Sequence, residues 1–168
     1  ETKAIFACYN GGTGAIYPTH LRLTMTVIPV GNAMQQFTTV MDQGNRIATA
    51  ATALTIANTN MNSANISGAQ ISVGAVVTTA ATSQRRIHHH RVTRVVIGVA
   101  GDMYQWNYGA GTLVSPSGLP TDGTLRVNVT TVTAPIVLPP GYTLLIHTWG
   151  ATFSTGAIYE YEFAFIEK

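Results

Sequence analysis

Residues 85–94 are the part of the sequence best equipped to bind anions, because four of the seven arginines and three of the five histidines lie there. Such side chains contact phosphates of nucleic acids or lipid headgroups, and each basic residue near an anionic membrane contributes about 1 kcal/mol. Side chains alternate between the two faces of an extended strand. Alternation therefore predicts two groups: Arg86, His88, His90 and Arg94 on one face, and Arg85, His89 and Arg91 on the other.

Three roles are open for this basic segment. It can contact an anionic partner or a neighbouring subunit, it can hold a metal ion between His88 and His90, or it can be a solvated strand end. Closed structural metal sites use four ligands, and the sequence assigns no third one, so we expect no metal. Unpaired buried charge is costly, so the segment is predicted to be an exposed strand end that meets an anionic or subunit partner.

A second candidate is the aromatic stripe of residues 103–108. If this segment is extended, Tyr104, Trp106 and Tyr108 share one face. Such a stripe can stack on sugar rings, or it can lie in a core or a subunit interface, where aromatic side chains are enriched. The sequence favours burial over glycan binding.

Catalytic patterns are scarce. The sequence contains no GxSxG nucleophile elbow, no HExxH helix motif and no phosphate-binding loop ending in Gly-Lys-Ser/Thr. Glu160 and Glu162 would lie about 6 to 7 Å apart on one strand face, within the range of glycosidase carboxylates. Polar strand faces commonly carry such pairs, however, so we expect no enzyme, no catalytic residue and no cofactor.

The elements that must position these residues are β-strands. Segments of period-2 alternation, rich in β-branched and aromatic residues, are separated by Gly, Pro and Asn clusters, as in all-β sandwiches and barrels. The clearest are residues 157–167, with four aromatic residues on one face, and residues 21–28 and 124–132. Residues 3–9, 37–41, 71–79 and 142–149 are further strands, and the last follows a turn at Pro139, Pro140 and Gly141.

Two segments are harder to assign. Residues 46–58 combine helix-favouring alanines with Thr and Ile residues that favour a strand, and we predict a strand. Residues 84–100 are predicted to form a long strand that projects beyond its sheet at the basic end. The result is eight or nine strands in one domain, residues 1–168, with the antiparallel order of a two-sheet jelly roll.

The low proportion of charged residues is the feature of the composition that is informative about function. Only 10% of the 168 residues are charged, against about 25% in an average soluble domain, and 46% are hydrophobic, which excludes intrinsic disorder. The net charge of +2 gives no general attraction to nucleic acid, and no run of about 20 apolar residues would span a membrane. Wide uncharged surfaces are expected to be covered by partners.

Low charge, many strands, Thr-rich and Asn-rich loops, the basic segment and the closing pair VLPPGYTLLIHTW and YEYEFAFIE together resemble a viral single jelly-roll capsid protein. The chain looks most like the small major capsid protein of tailless, membrane-containing icosahedral bacteriophages of the sphaerolipovirus type. The resemblance implies a virion shell protein that oligomerises, contacts a second capsid protein and faces an internal viral membrane. It transfers no catalytic or binding residue.

The leading interpretation is therefore a structural shell protein without specific nucleic acid recognition. We expect a homo-oligomer, most simply a dimer, because two-fold interfaces are the commonest. The alternative is a carbohydrate-binding β-sandwich, such as a phage receptor-binding or decoration domain, that would use the aromatic stripe.

Overall fold

The computed structural model of the protein describes residues 4–28, 36–48, 51–60, 62–73, 85–91, 100–109, 128–149 and 157–168. This described part contains ten β-strands and no helix, which confirms the prediction of an all-β chain. The strands are β1 (Ala4–Asn10), β2 (Ile16–Val27), β3 (Gln36–Gln43), β4 (Thr52–Leu54), β5 (Ala69–Val73), β6 (Arg85–Arg91), β7 (Met103–Tyr108), β8 (Asn128–Thr133), β9 (Tyr142–Trp149) and β10 (Ile158–Glu167).

The strands form two sheets. The six-stranded sheet has the order β4-β5-β1-β9-β3-β6, and the four-stranded sheet has the order β10-β2-β7-β8. All pairs are antiparallel except β7 and β8, which run parallel, so the expectation of wholly antiparallel strands is wrong at this pair. A parallel pair needs a crossover of a dozen or more residues, and residues 109–127 are long enough to provide it.

The two sheets pack face to face, and the inward side chains of both form one hydrophobic core. The ring centroid of Phe37 in β3 lies 4.6 Å from that of Tyr104 in β7 and 5.3 Å from that of Trp106. The ring centroids of Phe6 in β1 and Phe163 in β10 are 5.0 Å apart. Strand β7 therefore lies across from β3, and β10 lies across from β1.

Strands β2 and β10 follow the alternation that their sequences predict. Leu21, Leu23 and Met25 of β2 are fully buried, while the residues between them are half-buried. β10 pairs with β2 and packs four aromatic side chains on the core: Tyr159, Tyr161, Phe163 and Phe165. One buried and one solvated face is a common arrangement for an antiparallel sheet.

The central strands of the six-stranded sheet are buried on both faces. A second apolar cluster lies on the outward face, where Ala4, Ala7, Val40 and Leu145 pack together with Ile47 against them. Four polar side chains on the same outward face are buried as deeply as this apolar cluster: Thr38, Asp42, Thr143 and His147. Part of the cover is the segment after β3, because Ile47 packs on the cluster and Arg46 pairs with Asp42.

The prediction of one strand over residues 46–58 is confirmed only for Thr52–Leu54. Around Arg46, hydrogen bonds to side chains replace a strand ladder: the Arg46 N–H donates to Thr143 Oγ1 over 3.2 Å, and the Ile47 N–H donates to Asn45 Oδ1 over 2.9 Å. Such side-chain bonds compete with regular secondary structure. They account for the missing strand at the start of this segment.

The predicted turn before β9 is present. Gly141 has a φ of 79°, a left-handed conformation that glycine adopts without a steric cost. Its N–H donates to the Asn10 carbonyl over 2.8 Å, and β9 begins at the next residue. The turn therefore brings β9 into register beside β1.

Candidate functional site

The basic segment forms β6, and it does not project from the sheet. Its backbone pairs with β3 along its length, from Gln36 opposite Arg91 to Met41 opposite Arg85. The prediction of a projecting strand end is therefore wrong, because backbone N–H and C=O groups gain ladder partners by pairing along a neighbouring strand. In the described part, β6 is an edge strand of the six-stranded sheet. Arg94 lies outside the described residues.

A bulge in β6 changes the predicted grouping of its residues. Arg86 pairs with Val40 and His88 pairs with Thr39, although Thr39 and Val40 are consecutive in β3. Consecutive positions of β3 belong to opposite faces. The bulge therefore interrupts the strict alternation of strand positions on which the expected grouping of Arg86 with His88 and His90 depends.

The aromatic stripe lies in the core. Tyr104 is 2% exposed, Trp106 1% and Tyr108 6%, which confirms the preferred interpretation of these residues. Burial raises the pKa of Tyr108 above its ordinary value, and this effect exceeds the lowering by the neighbouring Thr39 hydroxyl. Rings packed between two sheets cannot stack on a sugar, so the stripe is no glycan platform.

Comparisons with known proteins find no match. No family model, no curated protein and no solved structure matches the chain. Candidate sites therefore come from the surface chemistry of this chain itself.

A cluster of polar side chains covers the outward side of β10, β2 and β7, and we call it the polar face; its members are His20, Arg22, Gln105, Asn107 and Glu162. Arg22 forms an ion pair with Glu162, and His20 Nε2 lies 3.7 Å from Glu162 Oε1. Asn107 Oδ1 lies 3.0 Å from His20 Nδ1 and accepts a hydrogen bond of 3.0 Å from Gln105 Nε2. His20 Nδ1 therefore acts as the donor, because a carbonyl oxygen only accepts.

Sequence reasoning missed the polar face. Its residues alternate with the buried ones in β2 and β7, so alternation assigns them to the outside. Strand register then brings them together, with His20 opposite Asn107 and Arg22 opposite both Gln105 and Glu162. The alternation indicated that each of these side chains lies on the outside, but it did not indicate that β10, β2 and β7 are neighbours.

Exposed apolar side chains lie at both ends of the β2 and β10 pair. At one end Val27 pairs with Ile158, and these side chains are 47% and 57% exposed; Ile28 follows directly. At the other end Tyr17 pairs with Ile166, and both are exposed. Contiguous exposed apolar residues are typical of surfaces that contact other molecules.

The loops at the far end of β10 hold this strand in place. Glu167 accepts hydrogen bonds from the Ser67 hydroxyl over 2.7 Å and from the Gly68 N–H over 3.2 Å. Gly68 packs so closely on Gly12 that a Cβ at residue 68 would clash with the Gly12 Cα. Asn10 completes the junction by donating to the Gly14 and Leu138 carbonyls. We interpret this junction as structural.

Reactive groups are sparse in the described part of the chain. No group of three or more His, Cys, Asp or Glu side chains there could hold a metal ion. Cys8 is fully buried, and burial raises the pKa of its thiol to about 12, so the thiol remains protonated and unreactive. No described segment is a helix of the length and apolar character that crossing a membrane requires.

Proposed function

We propose that the protein is a structural subunit of a virion shell, of the single jelly-roll kind, that associates with itself and with a second coat protein. The observation that carries the proposal is the exposed apolar surface at both ends of the β2 and β10 pair. Burying such surface contributes about 25 cal/mol per Å² of apolar area, before the costs of association are subtracted. The shortage of charge supports the same role, because few charges must be desolvated when subunits meet.

An internal viral membrane is a further proposed partner, and the virion is the proposed location. The proposal includes no catalysis and no cofactor. It also includes no specific nucleic acid recognition, since a net charge of +2 gives little attraction to phosphate.

Self-association is tested by size-exclusion chromatography with light scattering, together with electron microscopy of negatively stained particles. The parent is expected to form oligomers or particles. The variant I28S/I158S is expected to weaken association by at least about tenfold, because it removes two exposed apolar side chains from one proposed contact. Ile66→Ser is the matched control, because Ile66 is 94% exposed and lies in a loop. A parent that stays monomeric at high micromolar concentration would contradict the proposal.

Carbohydrate binding is the second candidate, and the polar face is the observation that favours it. Its amide, imidazole, guanidinium and carboxylate groups are the donors and acceptors that sugar hydroxyls require. A glycan array with the parent and with Asn107→Ala tests this candidate. Glycan binding by a monomeric parent that is lost in the variant would support it over the shell, whereas no binding would remove it.

A further inference from the structure

Two side-chain atoms of the polar face are of the kinds that bind metal ions. His20 Nδ1 donates to Asn107 Oδ1, so the lone pair of the neutral ring lies on His20 Nε2. Arg22 pairs with Glu162 Oε2, which leaves Glu162 Oε1 directed toward His20. An imidazole nitrogen and a carboxylate oxygen are both ligands that Zn²⁺ takes in proteins.

The separation of these two atoms suits a shared ion better than a direct hydrogen bond. His20 Nε2 and Glu162 Oε1 lie 3.7 Å apart, whereas N–H···O hydrogen bonds span about 2.7–3.2 Å. Zn–N and Zn–O distances of about 2.0–2.2 Å at the tetrahedral angle place two ligand atoms about 3.3–3.5 Å apart. A shift of a few tenths of an ångström would therefore bring both atoms into the coordination shell of one ion.

Both side chains also have the outer partners that are typical of metal ligands. A ligating histidine usually donates its second ring N–H to an oxygen atom, and ligating carboxylates are themselves hydrogen-bonded. Asn107 Oδ1 accepts the ring N–H, and its orientation is fixed by the hydrogen bond from Gln105 Nε2. Arg22 holds the carboxylate. His20 and Glu162 are thus oriented by their neighbours without an ion.

The pair is open to solvent and supplies half of a closed metal site. The side chains of His20 and Glu162 are 22% and 53% exposed, and the residue opposite His20 in β10 is the small, exposed Ala164. A closed zinc site has four ligands, and one copy of the chain brings two. A two-fold interface presents the same patch on both subunits, so a second copy would bring the other two.

We propose that the polar face binds Zn²⁺ between two copies of the chain, through His20 Nε2 and Glu162 Oε1 of each copy. The two glutamate carboxylates offset the charge of the ion. Mixed imidazole and carboxylate ligands favour Zn²⁺ over Mg²⁺ and Ca²⁺, which prefer oxygen ligands alone. This inference goes beyond the shell proposal and does not depend on it, because it concerns a different surface from the apolar ends of β2 and β10.

The experiment titrates ZnCl₂ into the full chain after a chelator has removed bound metal. Isothermal titration calorimetry is expected to show one ion bound per two chains. Light scattering is expected to show a rise in mean mass when zinc is added and a return to the starting mass when EDTA is added. MgCl₂ in place of ZnCl₂ is expected to leave the mass unchanged.

Two variants test the ligands on separate strands, His20→Ala in β2 and Glu162→Gln in β10. Loss of an outer partner of a ligand costs about 10- to 100-fold in metal affinity. Each variant removes two ligands from the bridged site, so we expect zinc binding to weaken at least about tenfold. Glu162→Gln keeps the shape of an exposed side chain and is expected to fold even if His20→Ala does not. Circular dichroism and thermal melting check both variants.

Glu160→Gln is the matched control. It removes the same charge from an exposed side chain of β10, two residues before Glu162, and is expected to bind zinc as the parent does. If Glu160→Gln weakened binding as much as Glu162→Gln, zinc would be responding to the general charge of β10, and the proposal would be overturned.

The remaining outcomes separate this inference from the proposed function. No zinc binding by the parent, or unchanged affinity in Glu162→Gln, overturns the metal site. One ion per chain without a rise in mass overturns it as well, because a bridging ion serves two chains. The shell proposal is judged from the assembly of the metal-free parent, so either proposal can fail while the other stands.

Discussion

The two sheets differ in how many of their faces are buried. In the four-stranded sheet, the inward side of β2 and β7 is core and the outward side is the half-exposed polar face. In the six-stranded sheet, the centre of β1, β9 and β3 is buried on both sides, and polar residues such as Thr38 and Asp42 lie among apolar ones on the outward side.

This difference shows that alternation of apolar and polar residues identifies strands with one buried face but not strands that are buried on both faces. Where one face meets water, apolar and polar residues alternate clearly, as in Leu21, Arg22 and Leu23. Where both faces are buried, apolar residues can be consecutive, as in Leu144, Leu145 and Ile146, all of which are fully buried. The same period-2 geometry therefore gives two different sequence patterns.

The largest change in the free energy of unfolding is expected for a substitution on the side of the four-stranded sheet that faces the core. Trp106→Ala should lower the free energy of unfolding by about 3–5 kcal/mol, because it leaves a large cavity between the sheets. Gln105→Ala, one residue away on the polar face, should change it by less than about 1 kcal/mol. Urea denaturation monitored by circular dichroism measures both values. Equal costs at the two positions would mean that β7 is not half-buried.

The outward face of the six-stranded sheet is tested by Leu145→Ala. Because Leu145 is fully buried on that face, we expect a loss of about 3–4 kcal/mol in urea denaturation. Ala164 on β10 provides a contrast, since it is exposed and Ala164→Ser should stay within about 0.5 kcal/mol. A cost for Leu145→Ala as small as that of a surface change would remove the distinction between the sheets.

A smaller effect is expected from the ion pairs on the two outward faces. Arg46 Nε lies 2.8 Å from Asp42 Oδ2, and Asp42 is fully buried. Asp42→Ala should cost about 3 kcal/mol, since it leaves the Arg46 guanidinium without its buried partner. Glu162→Ala breaks the exposed pair with Arg22 and should cost less than about 1 kcal/mol. Thermal unfolding of both variants gives the ranking, and the reverse order would contradict it.

The last effect concerns the core between the sheets and is absent at neutral pH, because it appears only at alkaline pH. Burial raises the pKa of Cys8 from 9.0 to about 12 and that of Tyr161 from 10.0 to about 12. The folded state therefore holds protons that the unfolded state releases, so the free energy of unfolding is constant below about pH 9 and falls as pH rises toward 12. For each group, the free energy of unfolding falls by at most about 1.4 kcal/mol per pH unit.

Cys8→Ala separates the thiol from the tyrosines in this pH range. Urea denaturation at several pH values should show that the decline begins near pH 10 in the variant instead of near pH 9, because tyrosines are then the first groups to titrate. Identical profiles for parent and variant would contradict the assignment of the first step to Cys8.

Several features were readable from the sequence. The alternation of β2 and β10, the turn before β9, the all-β class and the burial of Trp106 each depend on residues close together in the chain. Backbone geometry makes such patterns local, since a strand exposes every second residue to the same side. The pairing of β6 along β3 was not readable, because hydrogen bonds between strands use backbone groups that every residue except proline possesses.

The amino-acid sequence by itself determined that this chain forms strands and which side chains of β2, β7 and β10 face the core, because apolar residues leave water wherever a strand has one wet face. Only the tertiary structure decided that β1, β3 and β9 are buried on both sides, that β7 and β8 are parallel and that His20 meets Asn107. Those features depend on which distant strands pair and in what register, and pairing is selected by the packing of the whole chain rather than by any one segment.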